Sequence, residues 1–169
     1  MNACKCKPRK SSECGFTLIE MVVVLTIVAI LALAAQPLQE LALRRTQEAA
    51  LRHGLRELRN ALDEHRRLVE ARRIAPQRDG SPYPATLQAL VAGVPLLEDK
   101  GQPLPSGRHY LLRRLPRDPF ADPALPADET WGQRSSASPP DAPQRGDDVF
   151  DVFSKSDAAA IDGTRYRDW

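Results

Sequence analysis

The sequence predicts an α+β fold, in which a long N-terminal helix packs on a small antiparallel sheet with long loops. Three observations lead to this prediction. Residues 15–35 form an apolar run that one acid interrupts, residues 37–75 combine many charges with a helical stripe of leucines, and 13 of the 15 prolines lie between Pro76 and Pro143. Long periodic stretches favour helix, whereas dense prolines favour loops and short strands.

The first fifteen residues differ from the rest in charge. Four basic residues precede the apolar run against the single acid Glu13, namely Lys5, Lys7, Arg9 and Lys10. Such a bias keeps the N-terminal end in the cytoplasm and sends the other end across the membrane. Residues 16–169 hold no cysteine and carry 20 Lys plus Arg against 21 Asp plus Glu. Without the first fifteen residues, the chain has no disulfide and no net basic charge that would indicate nucleic-acid binding.

The apolar run is long enough to span a bilayer. At about 1.5 Å per residue, about twenty residues reach the ~30 Å of a hydrocarbon core. Glu20 lies near the start of this run, where a carboxylate costs roughly 2 to 4 kcal/mol to insert. An acid retained at such a position is expected to have a functional partner.

Gly15 followed by Phe16-Thr17-Leu18-Ile19-Glu20 resembles the processing site of type IV pilins and of the pseudopilins of type II secretion. The resemblance implies that residues 1–15 are a leader that a prepilin peptidase cuts after Gly15, methylating the new N-terminal Phe16. It also implies that residues 16–36 form a transmembrane and assembly helix, in which Glu20 meets the methylated amine of a neighbouring subunit. A plain signal anchor explains the length and the charges, but not Gly15 together with Glu20.

Residues 37–75 are predicted to continue the helix as its amphipathic half. Leu51, Leu55, Leu58, Leu62 and Val69 follow helical spacing, so they share one face. The charged side chains between them, such as Glu48, are expected mostly on a solvated face. Pro37 removes one backbone donor and is expected to kink the helix, and its place resembles that of the proline in the pilin helix.

Residues 76–169 are predicted to form a small globular head. Pro84 to Val91 has the pattern of a short helix with proline in its first turn. The segments 129–135 and 147–154 favour strands, 110–115 suits helix or strand equally, and the proline-rich stretch 136–147 is expected to be a connection.

Several stretches of this head also resemble one branch of the family, the major (G-type) pseudopilin. They are YPATLQALV, LPRDPFADP, Trp131-Gly132 and the closing VFDVFSKSDAAAIDGTRYRDW. The resemblance implies a structural subunit that polymerises with copies of itself from the inner membrane, with a periplasmic head. Its implied partners are the prepilin peptidase, minor pseudopilins, the inner-membrane secretion platform and the lipid bilayer.

G-type pseudopilins bind calcium near the C-terminus, so the resemblance also implies a calcium site in this chain. The matching region is SKSDAAAIDGT, where Asp157, Asp162 and Ser154 are the predicted ligands. Calcium takes six to eight oxygen ligands, and backbone carbonyls are expected to supply the others. Simple turn chemistry is the alternative, since Asp-Gly and Ser-Asp are common turn formers.

Other functions have less support in the sequence. His53, His65 and His109 are scattered, and no nucleophile, zinc-protease or nucleotide-binding motif is present, so no enzymatic role is expected. A membrane-anchored periplasmic enzyme is the remote alternative. A type IV pilin for adhesion, motility or DNA uptake is a nearer one. DNA uptake would require a basic stripe, for which the arginines 113, 114 and 117 are the candidates, but Asp118 and Asp122 dilute them and no nucleic-acid partner is expected.

Overall fold

The computed structural model describes residues 16–77, 79–98 and 102–169, without the side chains of residues 34–37, 103, 105 and 106. Helix α1 spans Leu18–Glu70, in good agreement with the predicted long helix. Contacts divide the chain into an N-terminal unit that ends at Ala42 and a C-terminal unit, Leu43–Trp169. The leader and Gly15 lie outside the described residues. α1 is helical through Pro37, and the predicted kink stays a prediction.

The core of the C-terminal unit forms around the leucine stripe of α1. Leu51, Leu55, Leu58 and Leu62 are buried as predicted, whereas Val69 is only partly covered. Their partners come from several later parts of the chain: Leu87, Leu90, Leu112, Trp131, Val149, Val152, Ala160 and Tyr166. The amphipathic half of the helix therefore completes a core that the head segments share with it.

Trp131 packs where α1 has no side chain. A Cβ on Gly54 would lie 3.2 Å from the Trp131 ring, so glycine lets the indole approach the helix backbone. The indole Nε1 donates to the Pro116 carbonyl at 2.9 Å, which satisfies the polar atom of this buried ring. Glycine inside a helix costs about 1 kcal/mol relative to alanine, and here it makes room for the largest side chain of the core.

Two of the predicted strands form one of the two sheets. β3 (Trp131–Arg134) and β4 (Asp151–Ser154) lie within the predicted segments 129–135 and 147–154. They pair antiparallel, with Trp131 opposite Ser154 and Arg134 opposite Asp151. Alternation in β4 buries Val152 and Ser154, while Asp151 and Phe153 remain partly exposed.

The second sheet was not predicted. The structure therefore has two separate two-stranded sheets in place of the one small sheet that was expected. β1 (Val94–Leu97) pairs antiparallel with β2 (Pro103–His109). Prolines in both strands suggested loops, but each strand has only one neighbour, and edge strands tolerate proline. The predicted helix 84–91 is shorter and later, α2 (Gln88–Ala92).

The ambiguous segment 110–115 is neither helix nor strand. The backbone amides of Leu111 and Leu112 both donate to the Leu90 carbonyl of α2, at 3.2 and 3.0 Å. These two amides are therefore not available for hydrogen bonds to a neighbouring strand. The segment therefore closes the end of α2 while Leu112 enters the core.

A buried carboxylate orders the proline-rich connection between β3 and β4. Asp148 accepts hydrogen bonds of 2.6 Å from the hydroxyls of Ser81, Ser135 and Ser136, and one of 2.9 Å from the Ser136 amide. Burial opposes ionisation of Asp148, but these four bonds outweigh it and lower its pKa to about 2. Asp148 thus joins the start of the connection to the loop before α2.

Replacing Asp148 by asparagine is expected to lower the free energy of unfolding by about 2 kcal/mol at neutral pH. A pKa of about 2 in place of 3.8 corresponds to that much stabilisation of the charged form. Because the folded pKa is the lower one, the stabilisation is present above pH 3.8 and is lost as the pH falls towards 2. Urea unfolding of the full chain in uncharged detergent measures this. A constant difference between Asp148→Asn and the parent from pH 7 to pH 2 would contradict it.

Candidate functional site

The first described residues form the start of α1. Phe16 and Thr17 precede the helix, and the Thr17 hydroxyl accepts the Glu20 backbone amide at 3.3 Å. A threonine before the first turn satisfies one of the amides that have no partner within the helix. The TLIE part of the motif therefore begins the helix.

The N-terminal half of α1 has an apolar surface that is exposed in the described part of its own unit. From Phe16 to Leu33, the large apolar side chains are 46 to 83% exposed. By length and composition this apolar part of the helix could cross a membrane. The hydroxyl of Thr26 donates to the Val22 carbonyl at 2.7 Å, which satisfies this polar group within the helix. An exposed apolar surface of this size is typical of a helix that lies in lipid or against other protein chains.

The Glu20 carboxylate is exposed on this apolar helix. Among the residues that the structure describes, it has neither an ion pair nor a side-chain hydrogen bond. A carboxylate in an apolar environment requires a charged or hydrogen-bonding partner. The geometry is thus open to a partner from outside the chain.

In the C-terminal unit, α1 holds the last residues of the chain through buried polar groups. Glu48 is 8% exposed, and its Oε1 accepts the Ile161 amide at 2.8 Å and the Tyr166 hydroxyl at 3.0 Å. Arg44, one turn earlier, donates to the Ala159 carbonyl at 2.6 Å. Tyr166 is fully buried and stacks on Phe120, with ring centroids 4.1 Å apart. The expectation that Glu48 lies on a solvated face is therefore wrong, because the C-terminal segment folds over it.

The three predicted calcium ligands lie in this segment, each with a different protein partner. The Ser154 hydroxyl is buried and donates to Asp118 at 2.6 Å. Asp157 pairs with Arg167 at 2.8 Å. Asp162 accepts the Thr164 amide and hydroxyl at 3.0 and 2.6 Å, which are the bonds of an Asx turn. Hydrogen bonds from Thr164 lower the pKa of Asp162.

Within residues 16–77, 79–98 and 102–169, no group of three or more His, Cys, Asp or Glu side chains could hold a metal ion. A calcium site in this segment would therefore depend on backbone and hydroxyl oxygens for most of its ligands. The calcium prediction remains untested.

One histidine, His65, and one member of the arginine cluster, Arg117, have structural partners. His65 is buried and its Nδ1 lies 2.8 Å from the Pro82 carbonyl, while burial lowers its pKa. Arg117 donates to the carbonyls of Asp122, Pro123 and Leu125 at 3.3, 3.0 and 2.6 Å. Arg117 therefore organises its own loop and is not part of a free basic stripe.

A family model described as the prokaryotic N-terminal methylation motif matches residues 10–36. The match covers the predicted cleavage position, Phe16, Glu20 and the apolar half of α1. With this match, the uncovered apolar helix and the small antiparallel sheets agree on one family. The chain is a type IV pilin-like protein.

The motif of this pilin-like protein implies processing by a prepilin peptidase and polymerisation into a pilus-like fibre. Proteins with this motif are structural subunits, and the one helix among the described residues that is long and apolar enough to cross a membrane suits an inner-membrane anchor. No curated protein and no solved structure matches the chain. The branch of the family is therefore a matter of inference from the residues.

Proposed function

We propose that this pilin-like protein is a structural subunit of a type II secretion pseudopilus, of the G-type. It polymerises from the inner membrane and thereby drives export of folded periplasmic proteins. The observation that carries the proposal is the methylation motif on an apolar helix whose large side chains are exposed among the described residues. The helix is stored in the bilayer with its leader cytoplasmic and its head periplasmic, and it packs among copies of itself in the fibre.

One feature of the head favours the assignment as a pseudopilus subunit over that as a subunit of a long pilus. Its last segment is held by Glu48, Arg44 and the Tyr166 stack, and residues 16–169 contain no cysteine pair to close the head loop. Many major pilins use a C-terminal disulfide for that purpose. A type IV pilin for adhesion, motility or DNA uptake remains the alternative.

Deletion of the chain in its native host tests the proposal. The expected result is loss of secretion of exported proteins, with surface pili and DNA uptake unchanged. Complementation with the parent chain is the control. Normal secretion together with lost piliation would overturn the pseudopilus assignment in favour of a type IV pilin.

The mature N-terminus is expected to be Phe16 with one methyl group. Gly15 at the leader boundary is the basis, because a larger side chain at that position crowds the peptidase site. Gly15→Val is expected to leave the precursor uncut, whereas a change elsewhere in the leader such as Lys7→Gln should be cut normally. Intact-mass measurement of membrane-extracted protein decides this. A mature species that retains Cys14 would contradict it.

Calcium is expected to raise the melting midpoint of the full chain through Asp157 and Asp162. Both carboxylates are exposed and their ion pairs with arginine are of the weak surface kind, so a divalent ion can displace them. At a hundredfold excess over Kd the stabilisation is about 2.7 kcal/mol. Melting in calcium and in chelator measures it, with magnesium and the variant Asp157→Asn/Asp162→Asn as controls. Equal midpoints in calcium and chelator would contradict this prediction, and would mean that the turn and the ion pairs hold the loop without calcium.

A further inference from the structure

The C-terminal unit contains a cavity of about 520 Å³ whose walls carry four arginines, Arg59, Arg134, Arg165 and Arg167. A second cavity, of about 340 Å³, shares Arg59 and Trp169 with the first and adds Arg52 and Arg56. The two cavities are therefore lined by one continuous set of six arginines, the arginine strip: Arg52, Arg56, Arg59, Arg134, Arg165 and Arg167.

Four members of the arginine strip are held in place. The guanidinium groups of Arg52 and Arg134 lie over aromatic rings, 4.2 Å from the centroid of Trp169 and 4.6 Å from that of Phe150. They also form ion pairs, Arg52 with Asp162 at 3.3 Å and Arg134 with Asp151 at 3.6 Å. Arg59 donates to Asp151 at 2.9 Å and to the carbonyls of Val152 and Trp169. Arg167 pairs with Asp157. Side chains that are already ordered lose less entropy when they bind an anion.

The other two members have no partner among the described residues. Arg56 and Arg165 are exposed, and neither makes an ion pair or a side-chain hydrogen bond within the part of the chain that the structure describes. Each guanidinium therefore offers all five of its donors. One free arginine stands in each cavity, next to arginines that are fixed.

We propose that the arginine strip is a docking site for an extended acidic peptide segment of another protein. Residues 52, 56 and 59 of α1 are spaced by about 6 and 4.5 Å along the helix axis. Carboxylates on alternate residues of an extended chain are about 6.7 Å apart, which is close to the step of about 6 Å from residue 52 to residue 56. Bidentate pairing of guanidinium with carboxylate gives the contact its geometry.

Two observations favour a peptide over a single-stranded nucleic acid. Bases need free aromatic faces to stack on, but Arg52 covers one face of Trp169, whose ring also meets Tyr166 edge to face. The larger cavity also carries Asp141 and Asp168, whose carboxylates have no partner within the described ranges. A peptide can place uncharged residues beside these acids, whereas every nucleotide brings a phosphate.

The test uses the full chain in uncharged detergent and a fluorescent peptide of alternating glutamate and serine. Fluorescence anisotropy is expected to show binding that weakens with added salt and falls about tenfold in Arg56→Gln/Arg165→Gln. The matched control is Arg113→Gln/Arg114→Gln, which removes two exposed arginines that also lack partners in the described structure. This control is expected to bind like the parent, and both variants are expected to keep the parent's melting midpoint.

Three results would overturn the proposal. The first is equal binding of a glutamine-serine peptide, which would remove the role of charge. The second is an unchanged affinity in Arg56→Gln/Arg165→Gln, or an equal loss in the control variant, because either would place binding elsewhere. The third is tighter binding of oligothymidylate than of the glutamate peptide, which would make the strip a nucleic-acid surface.

Discussion

Replacing Glu20 by alanine is expected to abolish or misregister assembly while leaving insertion and cleavage intact. Insertion should improve, since the carboxylate costs roughly 2 to 4 kcal/mol in the bilayer. In the fibre the methylated amine of Phe16 on a neighbouring subunit would lose its counter-charge among apolar helices. Breaking one side of such a buried pair costs about 3 to 5 kcal/mol. Stability in the membrane and function in the fibre are therefore expected to change in opposite directions.

The measurement for Glu20→Ala combines intact mass, which reports cleavage, with the yield of sheared fibres, which reports assembly. Glu20→Gln is expected to be intermediate, because it keeps shape and hydrogen bonding without charge. Glu40→Ala is the matched control, since Glu40 is an exposed acid of the same helix outside the apolar run. A Glu20→Ala chain that forms fibres and supports secretion like the parent would rule out Glu20 as the register-setting residue.

Replacing Glu48 by alanine is expected to lower the free energy of unfolding by about 3 kcal/mol and to release the C-terminal segment. The substitution leaves the Ile161 amide and the buried Tyr166 hydroxyl without their acceptor. Each unsatisfied buried donor costs about 1 to 3 kcal/mol. Because Tyr166 also stacks on Phe120, the substitution is expected to loosen packing in the core as well as in the loop.

Two readouts separate local release from general destabilisation in Glu48→Ala. Urea unfolding of the full chain in detergent measures the free energy, and amide hydrogen exchange over residues 158–166 measures opening of the segment. Asp63→Ala removes the same charge from the same helix at an exposed position without a partner among the described residues, so it is expected to change neither readout. Equal exchange rates in Glu48→Ala and the parent would mean that the segment is held without Glu48.

Local patterns in the sequence were sufficient for the N-terminal part. Glycine followed by a phenylalanine-led apolar run with a single glutamate predicts the methylation motif, which the family match at residues 10–36 confirms. Apolar length and helical spacing are local properties of consecutive residues, so the long helix and the buried face of Leu51, Leu55, Leu58 and Leu62 could also be predicted.

The sheets were predicted less well, for a physical reason. β3 and β4 carry β-branched and aromatic residues, so their local pattern was visible. β1 and β2 contain prolines and depend on pairing with each other, which the pattern of either strand does not show. Pairing partners are chosen by the whole fold, and the dense prolines of this region do not show which segments pair.

The sequence by itself determined the apolar anchor, its motif and the buried stripe of α1, since each depends on the spacing of neighbours along one helix. Only the tertiary structure decided what the charged residues do. It buries Glu48 beneath a segment more than a hundred residues later, and it brings arginines from three distant stretches of chain to two adjoining cavities. A charge on a helix is solvated or buried according to what folds over it, and that depends on contacts between residues far apart in the chain.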